Sequence, residues 1–187
     1  MGRTNFVEQY HLRTSSESGY IENVLRSVQE NDIELIRLSF ADQHGILRGK
    51  SVVADELSQA LNNGCTSTTT LLAKDTSHKT VFPVFTSGGG FDLTEMSNAG
   101  DLVMVPLPST FRILPWVRKT GWMLCDVYFS NGDQIPFSTR KILNDLLAQL
   151  NKTGFDYMVG LEVEMHIYRL ENPKLEPESA GQPALPP

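Results

Sequence analysis

Cysteine is scarce: Cys65 and Cys125 are the only two in 187 residues. Two thiols at that separation build neither a disulfide framework nor a Cys-x-x-Cys metal knuckle. Cys125 follows Trp122, Met123 and Leu124, a setting in which a free thiol acts as a small hydrophobe. Long apolar runs are also missing. No stretch approaches the roughly 20 residues that cross a bilayer, and the polar segment Met1–Gly19 lacks the apolar centre of a secretory signal. A cytoplasmic protein with no membrane partner is the expectation. Basic charge is in deficit, with 16 Lys and Arg against 22 Asp and Glu, a net charge of −6. That balance repels phosphate backbones and anionic lipid, so no nucleic-acid partner is expected.

What is present suits a soluble globular protein, with 40% hydrophobic and 20% charged residues. Residues 1–19 hold Ser15, Ser16, Ser18 and Gly19 with little periodicity and read as a mobile lead-in. From Tyr20, the spacing of Ile21, Val24, Leu25 and Val28 predicts an amphipathic helix ending near Asn31. Ile33–Phe40 and Ile46–Val53 read as strands joined by the turn residues Asp42-Gln43-His44-Gly45. Asp55 is placed to cap a second helix that stops before Gly64.

Gly64–Gly100 is irregular, with a threonine run, a short apolar piece at Val81–Phe85 and three glycines at 88–90. A connection of that length in a compact domain is functional or mobile. Strands are expected again at Asp101–Val105, Phe111–Leu114 and Gly121–Phe129, and Asn131-Gly132 predicts a tight turn into Gln134–Phe137. The predicted class is α+β, with one mixed sheet and helices across residues 20–137. Ser138 then reads as the cap of a helix striped by Ile142, Leu143, Leu146, Leu147 and Leu150. A further strand is expected over Asp156–Tyr168, so that 138–170 opens a domain left incomplete. Residues 171–187 hold five prolines and cannot build a packed element.

The chemistry concentrates in Leu161-Glu162-Val163-Glu164-Met165-His166-Ile167-Tyr168. In a strand, Glu162, Glu164, His166 and Tyr168 would share one face and the apolar residues the other. Two carboxylates spaced in this way offer hard oxygen donors suited to Mg²⁺ or Mn²⁺. The same alternation is also the ordinary pattern of a half-solvated sheet. Two near-motifs fail on geometry. Gly45-Ile46-Leu47-Arg48-Gly49-Lys50-Ser51 has three residues between its glycines where a P-loop needs four, and its lysine precedes a strand. The Gly88-Gly89-Gly90 run has no adjacent Lys-Ser/Thr and reads as a flexible loop.

Four stretches, in order, resemble the glutamine synthetase superfamily: Asp42–Lys50, Asp101–Arg112, Pro136–Arg140 and Gly160–Glu164. The resemblance implies a β-grasp-like N-terminal domain, followed by the first helix and strand of an incomplete catalytic domain. It implies an ATP-dependent glutamate–ammonia or glutamate–amine ligase acting through a γ-glutamyl phosphate. Glu162 would match a ligand of the metal near the ATP phosphates, and Glu164 a ligand of the metal near glutamate. The family's ring-shaped homo-oligomers would supply the partner subunits. The chain would be an N-terminal fragment, not active alone; a non-catalytic β-grasp module or an inactive paralogue is the alternative. One departure stands out. Ammonia-using members carry Asp-Gly-Ser-Ser where this chain reads Ser67-Thr68-Thr69-Thr70-Leu71. Losing that anion leaves the pocket more neutral and favours an organic amine over ammonium.

Overall fold

The computed structural model describes residues 4–167 and 169, and the chain divides into two units at Phe155/Asp156. The first unit is a six-stranded mixed sheet with helices; its strands β1 (Leu35–Ala41), β2 (Leu47–Val53), β3 (Cys65–Thr68), β4 (Asp101–Pro106), β5 (Arg112–Ile113) and β6 (Thr120–Phe129) are ordered β2-β1-β6-β4-β3 with β5 beside β6. Strand β1 (Leu35–Ala41) turns back into β2 (Leu47–Val53), antiparallel, through the Asp42–Gly45 turn. Gly45 takes φ +76°, the left-handed geometry that a glycine adopts without steric cost. Gly49 has a different reason: a Cβ there would sit 1.8 Å from the Leu38 carbonyl oxygen of the paired strand. On its other edge β1 runs parallel to β6 (Thr120–Phe129). β6 in turn pairs antiparallel with β4 (Asp101–Pro106) and β5 (Arg112–Ile113).

Alternation decides which face is covered. Ile36, Leu38 and Phe40 of β1, Met123, Cys125 and Val127 of β6, and Leu102 and Met104 of β4 are all buried. They form one core with Val24 and Val28 of the helix Ser15–Glu30 (α2) and Leu57, Ala60 and Leu61 of Leu57–Asn63 (α3). Apolar side chains of this kind, at roughly 1.5–3 kcal/mol for each large one when fully buried, dominate the unit's stability. Among the described residues no helix is long and apolar enough to cross a membrane.

Several expectations need correction. The segment expected as a mobile lead-in is ordered from Asn5, which caps a short helix, Phe6–Gln9 (α1), by accepting from the Glu8 amide. Val7 is buried with Val103, Val105 and Tyr128 on the sheet's second face, and Arg13 Nη2 donates to the Leu61 carbonyl at 2.5 Å. Thr14 then caps α2, whose first residue, Ser15, lies five before the expected start at Tyr20. These contacts are tertiary, so periodicity could not show them. Cys65–Thr68 forms a strand, β3, on β4, because the edge of β4 offers its backbone a partner. Gln134 makes only a single bridge to Tyr128 in place of the expected strand at 134–137. Asp55 lies within a 3-10 turn before α3 and caps nothing.

The helix Thr139–Lys152 (α4) forms, but Ser138 makes no side-chain cap bond and none of the helix's residues is buried. In the second unit, 156–167 forms no strand. A strand needs a neighbour to pair its backbone groups, and none of the described strands pairs with this segment. Tyr168 and the proline-rich 171–187 expected to lack packing lie outside the described residues.

Candidate functional site

The β1–β2 turn is a polar knot built on Asp42, which is 1% exposed. Its Oδ1 accepts from the amides of His44 and Ile46, each at 2.9 Å, and its Oδ2 from Arg48 Nε at 2.8 Å. Burial pushes the Asp42 carboxyl up, but the Arg48 bond, the two amides and the guanidinium charge outweigh it and hold it below its ordinary value. Arg48 Nη1 continues the network by donating to His78 Nδ1 at 2.6 Å. That bond fixes the imidazole as the tautomer with its proton on Nε2.

The knot presents Gln43 and His44 to the segment that follows the threonine run. Gln43 Nε2 donates to the Leu72 carbonyl at 2.6 Å, and His44 Nε2 donates to the Lys74 carbonyl at 3.2 Å. The threonines themselves end β3 and enter a 3-10 turn over Thr69–Ala73. Thr68 Oγ1 accepts from the Thr70 amide at 3.3 Å and lies 3.0 Å from Thr70 Oγ1. Thr69 is fully buried, and its hydroxyl has no partner among the described residues. Position 67–71 therefore carries hydroxyls and no carboxylate. The next acid, Asp75, is engaged by Ser77 and by the Lys79 amide.

Glu162 and Glu164 lie in the second unit, in extended chain without strand pairing. Leu161 and Val163 beside them are 90% and 63% exposed, so the apolar face expected to anchor the pair is open. The two side chains supply the hard oxygen donors that a divalent cation takes. Among the described residues, however, no group of three or more His, Cys, Asp or Glu stands close enough to hold a metal. The donor type fits a Mg²⁺ or Mn²⁺ site, and the donor number does not complete one. Sequence reasoning missed a feature of the first unit, a cleft beside the hairpin tip that includes Lys74, Phe82, Phe91 and Phe137. Its one legible signal was Val81–Phe85, an apolar piece inside a long loop.

No protein-family model matches the chain. It is 35% identical to a gamma-glutamylanilide synthase from an Acinetobacter species, over 99% of this chain and 38% of that protein. It is 32% identical to a glutamine synthetase from Methanosarcina mazei, over 86% of this chain and 33% of the relative. A solved structure of GmaS in complex with ADP matches 70% of the chain, and 26% of its own, with a TM-score of 0.51 and 26% identity. The chain thus spans between a quarter and two fifths of the relatives it matches. With the mixed α+β sheet and the ordered hairpin, these matches make the chain similar to the corresponding part of glutamine synthetase superfamily proteins.

Proposed function

We propose that the complete protein is an ATP-dependent ligase joining the γ-carboxylate of glutamate to an organic amine. The observation that carries this reading is the 35% identity to gamma-glutamylanilide synthase along nearly the whole chain. In such a reaction a γ-carboxylate oxygen attacks the terminal phosphorus of ATP and ADP leaves. The amine nitrogen then attacks the acyl carbon, loses a proton, and phosphate departs. Glu162 and Glu164 are our choice of ligands for Mg²⁺ or Mn²⁺, which would neutralise phosphate charge. The first unit would supply the walls of the amine pocket, within a ring-shaped homo-oligomer. Ammonium is disfavoured because Ser67–Leu71 offers it no anion. Two relatives are named for organic amines, a gamma-glutamylethanolamide synthetase and a glutamate–isopropylamine ligase.

Phosphate release by the complete protein, with glutamate, ATP and a panel of amines, tests the reading. An organic amine is expected to give the highest specificity constant. Ammonia ranking first would defeat the amine assignment, and no release with any amine would defeat the ligase. The metal roles are tested by Glu162→Gln and Glu164→Gln. In the complete protein each should lower the rate on the order of a hundredfold or more, as loss of a major electrostatic element does. In this chain each should melt within about 0.5 kcal/mol of the parent, as exposed substitutions do. Near-parental turnover of both variants would make the pair ordinary solvated glutamates.

A further inference from the structure

The hairpin tip and the loop after the threonines enclose a cleft of about 480 Å³, bounded by His44, Leu72, Lys74, Phe82, Phe91 and Phe137 together with Gln43. The rings of Phe82 and Phe91 are 4.6 Å apart at 51°, and those of Phe91 and Phe137 5.4 Å apart at 59°. Tilted contacts of this kind accept a further ring by its edge or its offset face. Phe82 and Phe91 remain 47% and 40% exposed, so the cluster is open where a ring would enter. Small-molecule sites begin near 300 Å³, and a fully enclosed apolar cavity of about 150 Å³ already takes benzene.

The polar side chains around the cleft are already engaged. Gln43 donates to the Leu72 carbonyl, His44 to the Lys74 carbonyl, and Lys74 Nζ to the His78 carbonyl and Thr80 Oγ1. A ligand therefore meets an apolar wall beside one fixed positive charge. None of the seven lining side chains is anionic. An alkylammonium ion entering here would shed water, gain no counter-charge and face Lys74. An arylamine has its lone pair delocalised into the ring, stays uncharged near neutral pH and carries the ring that the phenylalanines match.

We propose that this cleft binds a neutral aromatic amine in preference to alkylammonium ions and polyamines. Its role as the pocket for the acceptor amine rests on the ligase reading; the binding itself does not. The test is fluorine NMR on this 187-residue chain, titrated with 4-fluoroaniline and with 4-fluorobenzylamine, which has the same ring on a charged nitrogen. Fluoroaniline should bind, and fluorobenzylammonium on the order of tenfold more weakly, as an unpaired charge near a cation dictates. Phe82→Ala and Phe91→Ala should each weaken fluoroaniline roughly threefold to tenfold, the value of one aromatic pair. Both side chains are part-exposed, and circular dichroism melts would verify that each variant folds. Lys74→Glu should narrow the gap between the two probes.

Equal binding of the two probes, or no effect of either alanine, overturns the proposal. So does the absence of binding together with a dimer that Phe82→Asp dissolves, which would make the cleft an interface between copies. Phosphate release by the complete protein is read separately. Failed binding with intact turnover would refute the cleft alone, and intact binding with failed turnover would refute the ligase alone.

Discussion

Asp42 is the one acid among the buried polar residues described, and its carboxylate holds a turn together. Arg48, its partner, is 10% exposed at the side chain, so the pair sits largely out of water. Asp42→Asn leaves that guanidinium without its counter-charge and should destabilise the chain by about 3–5 kcal/mol, the usual consequence of breaking a buried pair. The pH dependence follows from the direction of the shift. The folded carboxyl titrates below the ordinary 3.8, so its stabilisation is complete above that pH and fades as pH falls through the lower folded value. Thermal melts at neutral pH and below 3.8 check both points. The gap between variant and parent should be wide at neutral pH and shrink in acid; equal melting at neutral pH would refute the role. Most of this knot was legible, since the turn residues Asp42 to Gly45 and the bonds from His44 and Ile46 lie within four positions. The link from Arg48 to His78 spans 30 residues and left no trace in sequence.

Elements that depended on local signals and those that depended on partners fared differently. α2 and the β1–β2 hairpin carried their own patterns of spacing and turn chemistry. β3 did not, because Cys65–Thr68 becomes a strand only by pairing with Asp101–Met104. α4 is the instructive middle case. Its stripe was read correctly as apolar, yet Ile142, Leu143 and Leu146 are 45%, 52% and 57% exposed. An isolated helix of that length is marginal in water, because tertiary packing supplies most helical stability. The Arg140–Asp126 bond at 3.0 Å ties its first turn to β6. Hydrogen exchange on this chain should therefore show α4 amides exchanging far faster than those of β6, whose Met123 and Val127 are buried. Comparable protection in the two elements would mean that α4's stripe is covered in solution.

At the scale of the whole chain, the two units carry different parts of the proposed chemistry. In that proposal the first would supply the amine-side walls; Glu162 and Glu164 lie in the second. Two carboxylates leave most of a hard cation's coordination shell to other donors, and no larger ligand cluster occurs among the described residues. Calorimetric titration of this chain with Mn²⁺ should accordingly show weak binding. Stoichiometric, submicromolar binding would reveal a complete site and overturn the account of a shared one. The chain spans 38% of the anilide synthase's length.

The sequence by itself determined the α+β class, the central hairpin, the resemblance to the glutamine synthetase superfamily and the absence of an anion at Ser67–Leu71. Each of these rests on short-range order: alternation, turn residues, or a motif within a dozen positions. Only the tertiary structure decided that Phe6 to Thr14 is ordered and that the threonine run contains an edge strand. It also decided that Phe82, Phe91 and Phe137 meet beside Lys74. Those outcomes depend on which backbone edge is left unpaired and which apolar face is left open after the core has formed. Neighbouring residues do not carry that information. For the same reason Leu161–Ile167, whose alternation reads so clearly as a strand, is not one here: the pattern names a face, and only a paired neighbour makes it a sheet.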